Sequence, residues 1–150
     1  MRLSLTIDGE ARSEEIDPRM LLVDALRDGF GATGPKVGCL TGDCGACTVT
    51  LDGELAKSCL RLAVACDGTE VRTLEGLAAG GELTALQRSF WDHNAFQCGF
   101  CLSGMLFAAQ DLLARSPRPS EDEIRDAISG NLCRCTGYAA IVAAIRAVAG

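Results

Sequence analysis

Four cysteines in the first sixty residues form the strongest chemical pattern in this chain. Cys39, Cys44 and Cys47 read C-x4-C-x2-C, and Cys59 follows after eleven intervening residues. This spacing is typical of four thiolates that hold a [2Fe–2S] cluster, which takes up one electron at a time. The pattern therefore predicts one-electron chemistry in the N-terminal half of the chain.

Glycines lie beside the first three of these cysteines, at Gly38, Gly42 and Gly45. A cluster held by thiolates is an anion that gains further charge on reduction, which is unfavourable in a low-dielectric interior. Backbone N–H groups aimed at the sulfurs offset this, and glycines let the backbone wrap closely and adopt positive φ. A zinc site is the alternative, and the ligand spacing together with this glycine pattern disfavours it.

A second set of four cysteines lies in the C-terminal half: Cys98, Cys101, Cys133 and Cys135. We expect Cys98 and Cys101 to share one face of the first turn of a helix, where the N-terminal dipole favours an anion. Cys133 and Cys135 must lie in a turn, because residues two apart in a helix point away from each other. Spacing alone would also fit zinc, but the first motif favours a second cluster.

Three other features of the sequence predict no functional site. The stretch GFGATG at residues 29–34 matches a dinucleotide fingerprint, but a predicted helix precedes it, Pro35 follows it and no βαβ unit surrounds it. Cys66 lies outside both cysteine sets in an apolar stretch and is predicted to be a buried packing residue. We interpret His93, beside a tryptophan, as a half-exposed helix residue.

Composition narrows the functional class and the compartment. The chain has 150 residues, nine cysteines, a net charge of −6 and 48% apolar residues. These values exclude disorder, the negative charge argues against nucleic acid as a partner, and the apolar runs are too short for a membrane helix. The start MRLSLTIDGE lacks a signal region, so we expect a cytoplasmic protein whose cysteines are metal ligands rather than disulfides.

The N-terminal half shows the pattern of a small mixed sheet with one helix across it. Residues 3–7 alternate apolar and polar side chains and lead into Asp8-Gly9, a two-residue hairpin signal, with a return strand over residues 11–16. Further elements are predicted as a helix over residues 20–30, a hairpin around Asp52-Gly53 and a strand at Val71.

Strand signals stop after the glycine-rich residues 76–81, which we interpret as a linker. Helices are predicted at residues 84–94, 105–113, 120–128 and 139–148, the first and third opened by capping boxes. The cysteine sets and this change of pattern predict two small domains, over residues 1–76 and 82–150.

Three stretches of the sequence resemble the iron–sulfur subunits of the molybdenum hydroxylases, the group of xanthine oxidase, aldehyde oxidase and carbon monoxide dehydrogenase. They are VGCLTGDCGACTV at residues 37–49, QCGFC at 97–101 and GNLCRCTGY at 130–138. The resemblance runs over essentially the whole chain, whereas free plant-type ferredoxins would match only its first half. It implies an α+β fold, with an N-terminal β-grasp plant-type ferredoxin domain followed by a C-terminal four-helix bundle.

The resemblance also implies a role for each cysteine set. Cys98, Cys101, Cys133 and Cys135 would hold the cluster next to a molybdopterin cofactor, and Cys39, Cys44, Cys47 and Cys59 would hold the cluster that faces FAD. Electrons would run from molybdenum through the helical-domain cluster to the ferredoxin-domain cluster and on to FAD. Gln97 and Cys135 would contact the pterin, for which a glutamine amide offers both a donor and an acceptor.

Neither molybdenum nor FAD is expected on a chain this short, which has no nucleotide-binding unit. The resemblance implies a large molybdopterin-binding subunit and a medium FAD-binding subunit as partners, assembled as a dimer of heterotrimers. The chain would then be part of an oxidoreductase whose substrate reacts on a partner subunit. Two alternatives are a freestanding ferredoxin-like electron carrier and a zinc-stabilised interaction module without redox activity.

Overall fold

The computed structural model describes residues 1–149, and its N-terminal half is built on a mixed sheet. Five strands form the sheet: β1 (Arg2–Ile7), β2 (Glu10–Glu15), β3 (Thr48–Leu51), β4 (Glu54–Lys57) and β5 (Glu70–Arg72). The strand order is β2-β1-β5-β3-β4, with β1 and β5 parallel and the other pairs antiparallel. This is the sheet of the predicted β-grasp domain.

Both predicted hairpin turns are present. Asp8 and Gly9 have φ of 52° and 87°, and Asp52 and Gly53 have φ of 48° and 87°. Two consecutive residues with positive φ match the twist of the flanking strands, which explains why an Asp-Gly pair closes each hairpin. The outer strand β2 is exposed along its whole length and rich in charge, as suits a sheet edge.

A short helix crosses one face of this sheet and closes the N-terminal core. The helix α1 covers Leu22–Asp24 and continues as a π-helical turn over Ala25–Gly29, so it begins two residues later than predicted. Its apolar side chains pack against the inward-facing residues of the central strands, among them Leu5 and Val71. The loop that follows leads into the first cysteine motif.

The C-terminal half is a bundle of four helices. They are α2 (Ala85–Asp92), α3 (Leu102–Arg115), α4 (Glu121–Ile128) and α5 (Ala139–Val148). Thr84 and Gln87 form the predicted capping box of α2, and Ser120 and Glu123 form that of α4. A separate apolar core, which includes Phe90 and other buried residues of all four helices, fills the bundle.

The segment between the two halves is more ordered than a linker. Residues Leu74–Gly81 form 3₁₀-helical turns with a kink, and Leu77 is buried in the core of the helical bundle. The two halves also meet directly, because Ser103 Oγ donates a hydrogen bond of 2.8 Å to the Thr48 carbonyl across the boundary. The two cores agree with two domains, whose boundaries at residues 76 and 82 stay a prediction.

Candidate metal centres

The first cysteine set lies where a long loop returns to the sheet. The loop after α1 carries Cys39, Cys44 and Cys47, and it ends at β3. Cys59 lies in a short 3₁₀ helix, Ser58–Leu60, directly after the β3–β4 hairpin. The hairpin therefore brings the fourth cysteine back towards the loop that holds the other three.

The four sulfurs of this set are arranged as two pairs. The Cys39 N–H lies 3.4 Å from Cys44 Sγ, and the Cys44 N–H lies 3.3 Å from Cys39 Sγ, so these two residues are mutually bonded. Cys47 and Cys59 are both buried, and their side chains are hydrogen-bonded to each other as the second pair. Burial and the neighbouring Cys47 raise the pKa of Cys59 to about 11.

Backbone N–H groups supply the positive ends of dipoles around the partly exposed pair. Hydrogen bonds from the Thr41 side chain, and then from the Thr41 and Cys44 backbone N–H groups, lower the pKa of Cys39 to about 6. They favour the thiolate, which is the form that ligates iron. The loop thus prepares an anion-stabilising environment on the side of the site that faces solvent.

The glycines of the motif are required by close approach and by backbone shape. Gly42 and Gly45 have φ of 87° and 75°, in the left-handed region. Gly38 has an ordinary φ, but a Cβ at this position would lie 2.7 Å from Cys44 Sγ. The predicted role of these glycines, letting the backbone wrap closely around the sulfurs, agrees with this geometry.

The second cysteine set lies at the entrances to α3 and α5. Cys101 immediately precedes α3, as its N-cap residue, and Cys98 lies in the turn before it. The prediction that both share the first helical turn is therefore wrong, because Gly99, with φ of 80°, interrupts the helical backbone between them. Cys133 and Cys135 lie in the loop between α4 and α5, as predicted.

These sulfurs also form two pairs, one exposed and one buried. Cys135 Sγ lies 3.5 Å from Cys98 Sγ, and both residues are exposed. Cys101 and Cys133 are buried side by side. Burial, followed by the adjacent Cys133 sulfur, raises the pKa of Cys101 to about 12.

Sequence reasoning missed two residues that shape this second site. Thr136 Oγ1 donates a hydrogen bond of 3.1 Å to Cys133 Sγ, and the Tyr138 hydroxyl accepts the Cys133 N–H at 3.0 Å. Burial raises the pKa of Cys133, but hydrogen bonds, of which the one from the Thr136 side chain has the largest effect, lower this pKa overall. The available signal was a hydroxyl residue three positions after a cysteine, within reach of its sulfur.

The predicted pterin-contacting residues are neighbours at the protein surface. Gln97 Nε2 donates a hydrogen bond of 3.0 Å to the Cys135 carbonyl, and both residues are exposed. A concave surface beside them is lined by the second cysteine set together with Phe100, Leu132 and Arg134. Phe100 and Leu132 are large apolar side chains that remain exposed in this chain.

The paired arrangement fits a binuclear cluster in each half. A zinc ion requires its ligands to converge on a single point. A [2Fe–2S] cluster instead takes two thiolates at each of its two irons, and the paired cysteines of both sets are compatible with this requirement.

Two residues that were predicted to lack a site role have ordinary structural roles. Cys66 is buried in the N-terminal core, where its sulfur faces the Leu62 carbonyl. His93 is exposed at the end of α2, and its ring contacts the Ser89 carbonyl of the same helix. Neither residue adjoins a cysteine set. No helix among the described residues has the length and apolar character needed to cross a membrane.

Comparison with known proteins assigns both halves of the chain. Residues 5–76 match a family described as 2Fe-2S iron-sulfur cluster binding domain, and residues 73–146 match one described as [2Fe-2S] binding domain. The gamma subunit of caffeine dehydrogenase from Pseudomonas sp. (strain CBB1) is 49% identical, over 97% of this chain and 89% of its own length. The small FeS subunit of nicotinate dehydrogenase from Eubacterium barkeri is 46% identical, over 96% of this chain and 92% of its own length.

The chain belongs to the small iron–sulfur subunits of the molybdenum hydroxylase family. Among solved structures, it is similar to a chain of quinoline 2-oxidoreductase from Pseudomonas putida 86, with a TM-score of 0.95 and 53% identity over 99% of this chain and 92% of that one.

Membership in the molybdenum hydroxylase small subunits confirms the predicted fold and general function. The chain is an electron-transfer component of an oxidoreductase complex, and its cofactors are [2Fe–2S] clusters. The findings favour this function over a freestanding ferredoxin or a zinc module, because relatives match along the full length of the chain and are themselves subunits. The individual ligands and pterin contacts stay predictions.

Proposed function

We propose that the chain conducts electrons between a molybdopterin centre and FAD, both on partner subunits, through two [2Fe–2S] clusters. The clusters would be held by Cys39, Cys44, Cys47 and Cys59 in the ferredoxin domain, and by Cys98, Cys101, Cys133 and Cys135 in the helical domain. The observation that carries this proposal is the pairing of the sulfurs within each set, since two thiolates at each iron satisfy a binuclear cluster. When bound, each cluster supplies a one-electron acceptor.

The protein residues in each set would fix position and charge. The buried pairs, Cys47 with Cys59 and Cys101 with Cys133, would anchor each site inside the protein. The more accessible pairs would face the neighbouring redox centres. Backbone N–H groups near Cys39 Sγ would offset the negative charge on the solvent side of the first site.

The exposed cysteines of the helical domain support the proposal that this domain faces the molybdopterin-binding subunit. Cys98 and Cys135 are both exposed, and the apolar concave surface around them suits contact with another subunit. Gln97 would offer the pterin its amide oxygen and the second N–H of its amide nitrogen, because only one N–H is bonded to the Cys135 carbonyl. Electrons would then continue to the ferredoxin-domain site and leave to FAD.

The partner composition extends this proposal. We infer a large molybdopterin-binding subunit and a medium FAD-binding subunit, assembled with this chain as a dimer of heterotrimers. The names of the caffeine and nicotinate dehydrogenase relatives support a complex of different subunits. We also infer a cytoplasmic location, because none of the nine cysteines is in a disulfide and eight of them are the proposed iron ligands.

The assignment of ligands is tested by single substitutions in the purified complex. Cys135→Ser should remove or alter the low-temperature EPR signal of the helical-domain cluster alone, and Cys39→Ser should affect only the other signal. Each variant acts as the control for the other variant. Loss of the same signal in both variants would contradict the division of the cysteines into two sites.

The pterin contact is tested by Gln97→Ala. This substitution should leave iron content and both EPR signals intact, because Gln97 is not a proposed ligand. It should slow reduction of the clusters by substrate, measured by stopped-flow absorbance, while reduction by dithionite stays unchanged. Unaltered reduction by substrate would count against a role for Gln97 at the pterin.

A further inference from the structure

A buried side chain without a hydrogen-bond partner lies at the boundary between the two halves. Asn131 is 5% exposed, and its Oδ1 has no hydrogen-bond partner. Its amide nitrogen lies 3.4 Å from the Ile128 carbonyl, which only accepts hydrogen bonds, so the oxygen must be the atom that faces away. A buried carbonyl without a partner is unfavourable, and its presence requires an explanation.

The unpartnered oxygen lies between two glycines from different halves of the chain. Gly45 directly follows Cys44 in the first cysteine loop, and Gly104 lies in the first turn of α3, three residues after Cys101. A Cβ at either glycine would overlap Asn131 Oδ1, and a Cβ at Gly104 would also overlap the Gly45 carbonyl. The amide oxygen thus occupies the space that both missing side chains leave open.

The backbone on either side of Asn131 connects the two sites. The Leu132 N–H donates a hydrogen bond of 2.9 Å to the carbonyl of Cys44, and Leu132 directly precedes Cys133. Asn131 is therefore adjacent to Leu132, which joins Cys133, a proposed ligand of the second cluster, to Cys44, a proposed ligand of the first. A shift of the Asn131 side chain would therefore displace Gly45 or Gly104, or strain the hydrogen bond between Leu132 and Cys44.

We propose that Asn131 is a positioning residue that sets the separation of the two clusters. Its side-chain carbonyl, wedged between Gly45 and Gly104, holds the first cysteine loop at a fixed distance from the helix that follows Cys101. This inference rests on the proposed ligand assignment, and it adds a role for a residue that is not itself a ligand. Hydrogen bonding does not account for this oxygen, whereas its position between the two glycines does.

Asn131→Ala in the purified complex tests the proposal with two measurements that do not depend on turnover. The first is the magnetic interaction between the two reduced clusters in low-temperature EPR, which falls steeply with their separation. The second is hydrogen–deuterium exchange of residues 43–47 and 129–133, measured by mass spectrometry. We expect four irons and both individual signals to remain, with an altered magnetic interaction and several-fold faster exchange in these two segments.

Lys57→Met is the matched control. Lys57 Nζ donates a hydrogen bond of 2.9 Å to the Gly130 carbonyl, so it bridges the same boundary from an exposed position. This variant should match the unsubstituted complex in both measurements. An equal change in Lys57→Met would assign the effect to the boundary in general and overturn the specific role of Asn131.

Unchanged magnetic interaction and exchange in Asn131→Ala would also overturn the proposal. Should the alanine variant fail to assemble, Asn131→Ser keeps a small polar side chain that is too short to reach both glycines, and the same two outcomes apply to it. Fewer than four irons in the unsubstituted complex would contradict the ligand assignment itself. Failure of the proposed function is thereby distinguished from failure of the positioning role.

Discussion

The hydrogen bonds at the sulfurs differ between the two sites at the level of single residues. Thr136 Oγ1 donates directly to Cys133 Sγ, whereas Thr41 Oγ1 donates to the Asp43 carboxylate at 2.6 Å. A donor at a ligating sulfur stabilises the more negative, reduced state of a cluster and so raises its reduction potential. The Thr136 hydroxyl is therefore expected to raise the reduction potential of the helical-domain cluster.

We predict that Thr136→Val lowers the reduction potential of the helical-domain cluster by tens of millivolts. For a one-electron couple, about 59 mV corresponds to about 1.4 kcal/mol, which is comparable to the contribution of one hydrogen bond. The potential is measured by redox titration followed by EPR. Thr136→Ser should keep the original potential.

Thr69→Val is the control for this experiment, because the Thr69 hydroxyl donates a hydrogen bond of 2.7 Å to the Cys66 carbonyl rather than to a sulfur. It should shift the potential of the ferredoxin-domain cluster by less than Thr136→Val shifts that of its own cluster. Equal shifts in both variants would indicate that general polarity, and not a hydroxyl–sulfur hydrogen bond, sets the potential.

At the scale of elements, local signals predicted most of the secondary structure. The Asp-Gly hairpins and the two capping boxes were readable from the sequence because each depends on residues at most three positions apart. The helix α5 has the predicted bounds, Ala139–Val148. Local signals were sufficient wherever the backbone conformation is decided by neighbouring residues.

The elements that were predicted wrongly depend on distant contacts or on backbone shape. The positive φ of Gly99 separates Cys98 from α3, and spacing alone did not reveal it. The segment after residue 76 resembled a linker, but Leu77 is buried because the helical bundle offers it a place to pack. The contact of Asn131 with Gly45 and Gly104, and the bond from Thr136 to a sulfur, were not predicted either, since both depend on the three-dimensional arrangement of loops.

The capping box of α4 gives a prediction at this scale. Ser120→Ala removes the side-chain acceptor for the Glu123 N–H, now bonded at 3.2 Å, and should cost about 1 kcal/mol of unfolding free energy. For a chain of this size, that corresponds to a decrease of roughly 2–4 °C in the midpoint of thermal unfolding. The midpoint is measured by circular dichroism.

Ser116→Ala at the end of α3 is the matched control for Ser120→Ala. The hydrogen bond of 2.7 Å from Ser116 to the Leu112 carbonyl uses its backbone N–H, which alanine retains. A similar decrease in both variants would show that loss of a surface serine, and not loss of the cap, is responsible.

At the scale of the whole molecule, two small cores are joined by the cysteine loops. Each core is modest, and both cysteine sets tie backbone segments that are distant in sequence. A metal cluster that binds only the folded state adds its binding free energy to the stability of that state. We therefore expect the stability of each half to depend on its cluster.

Removal of iron tests this dependence. Chain that is stripped of iron with a chelator under reducing conditions should unfold at a lower temperature than cluster-loaded chain, as followed by circular dichroism. Reconstitution with iron and sulfide should restore the original midpoint. Identical midpoints with and without iron would contradict a structural contribution from the clusters.

The most direct test of the central claim is the iron content of the purified complex, together with low-temperature EPR of its dithionite-reduced form. Two clusters on this chain predict four irons per chain and two distinct [2Fe–2S] signals. Two irons with a single signal, or zinc without any signal, would contradict the assignment of both cysteine sets to electron transfer.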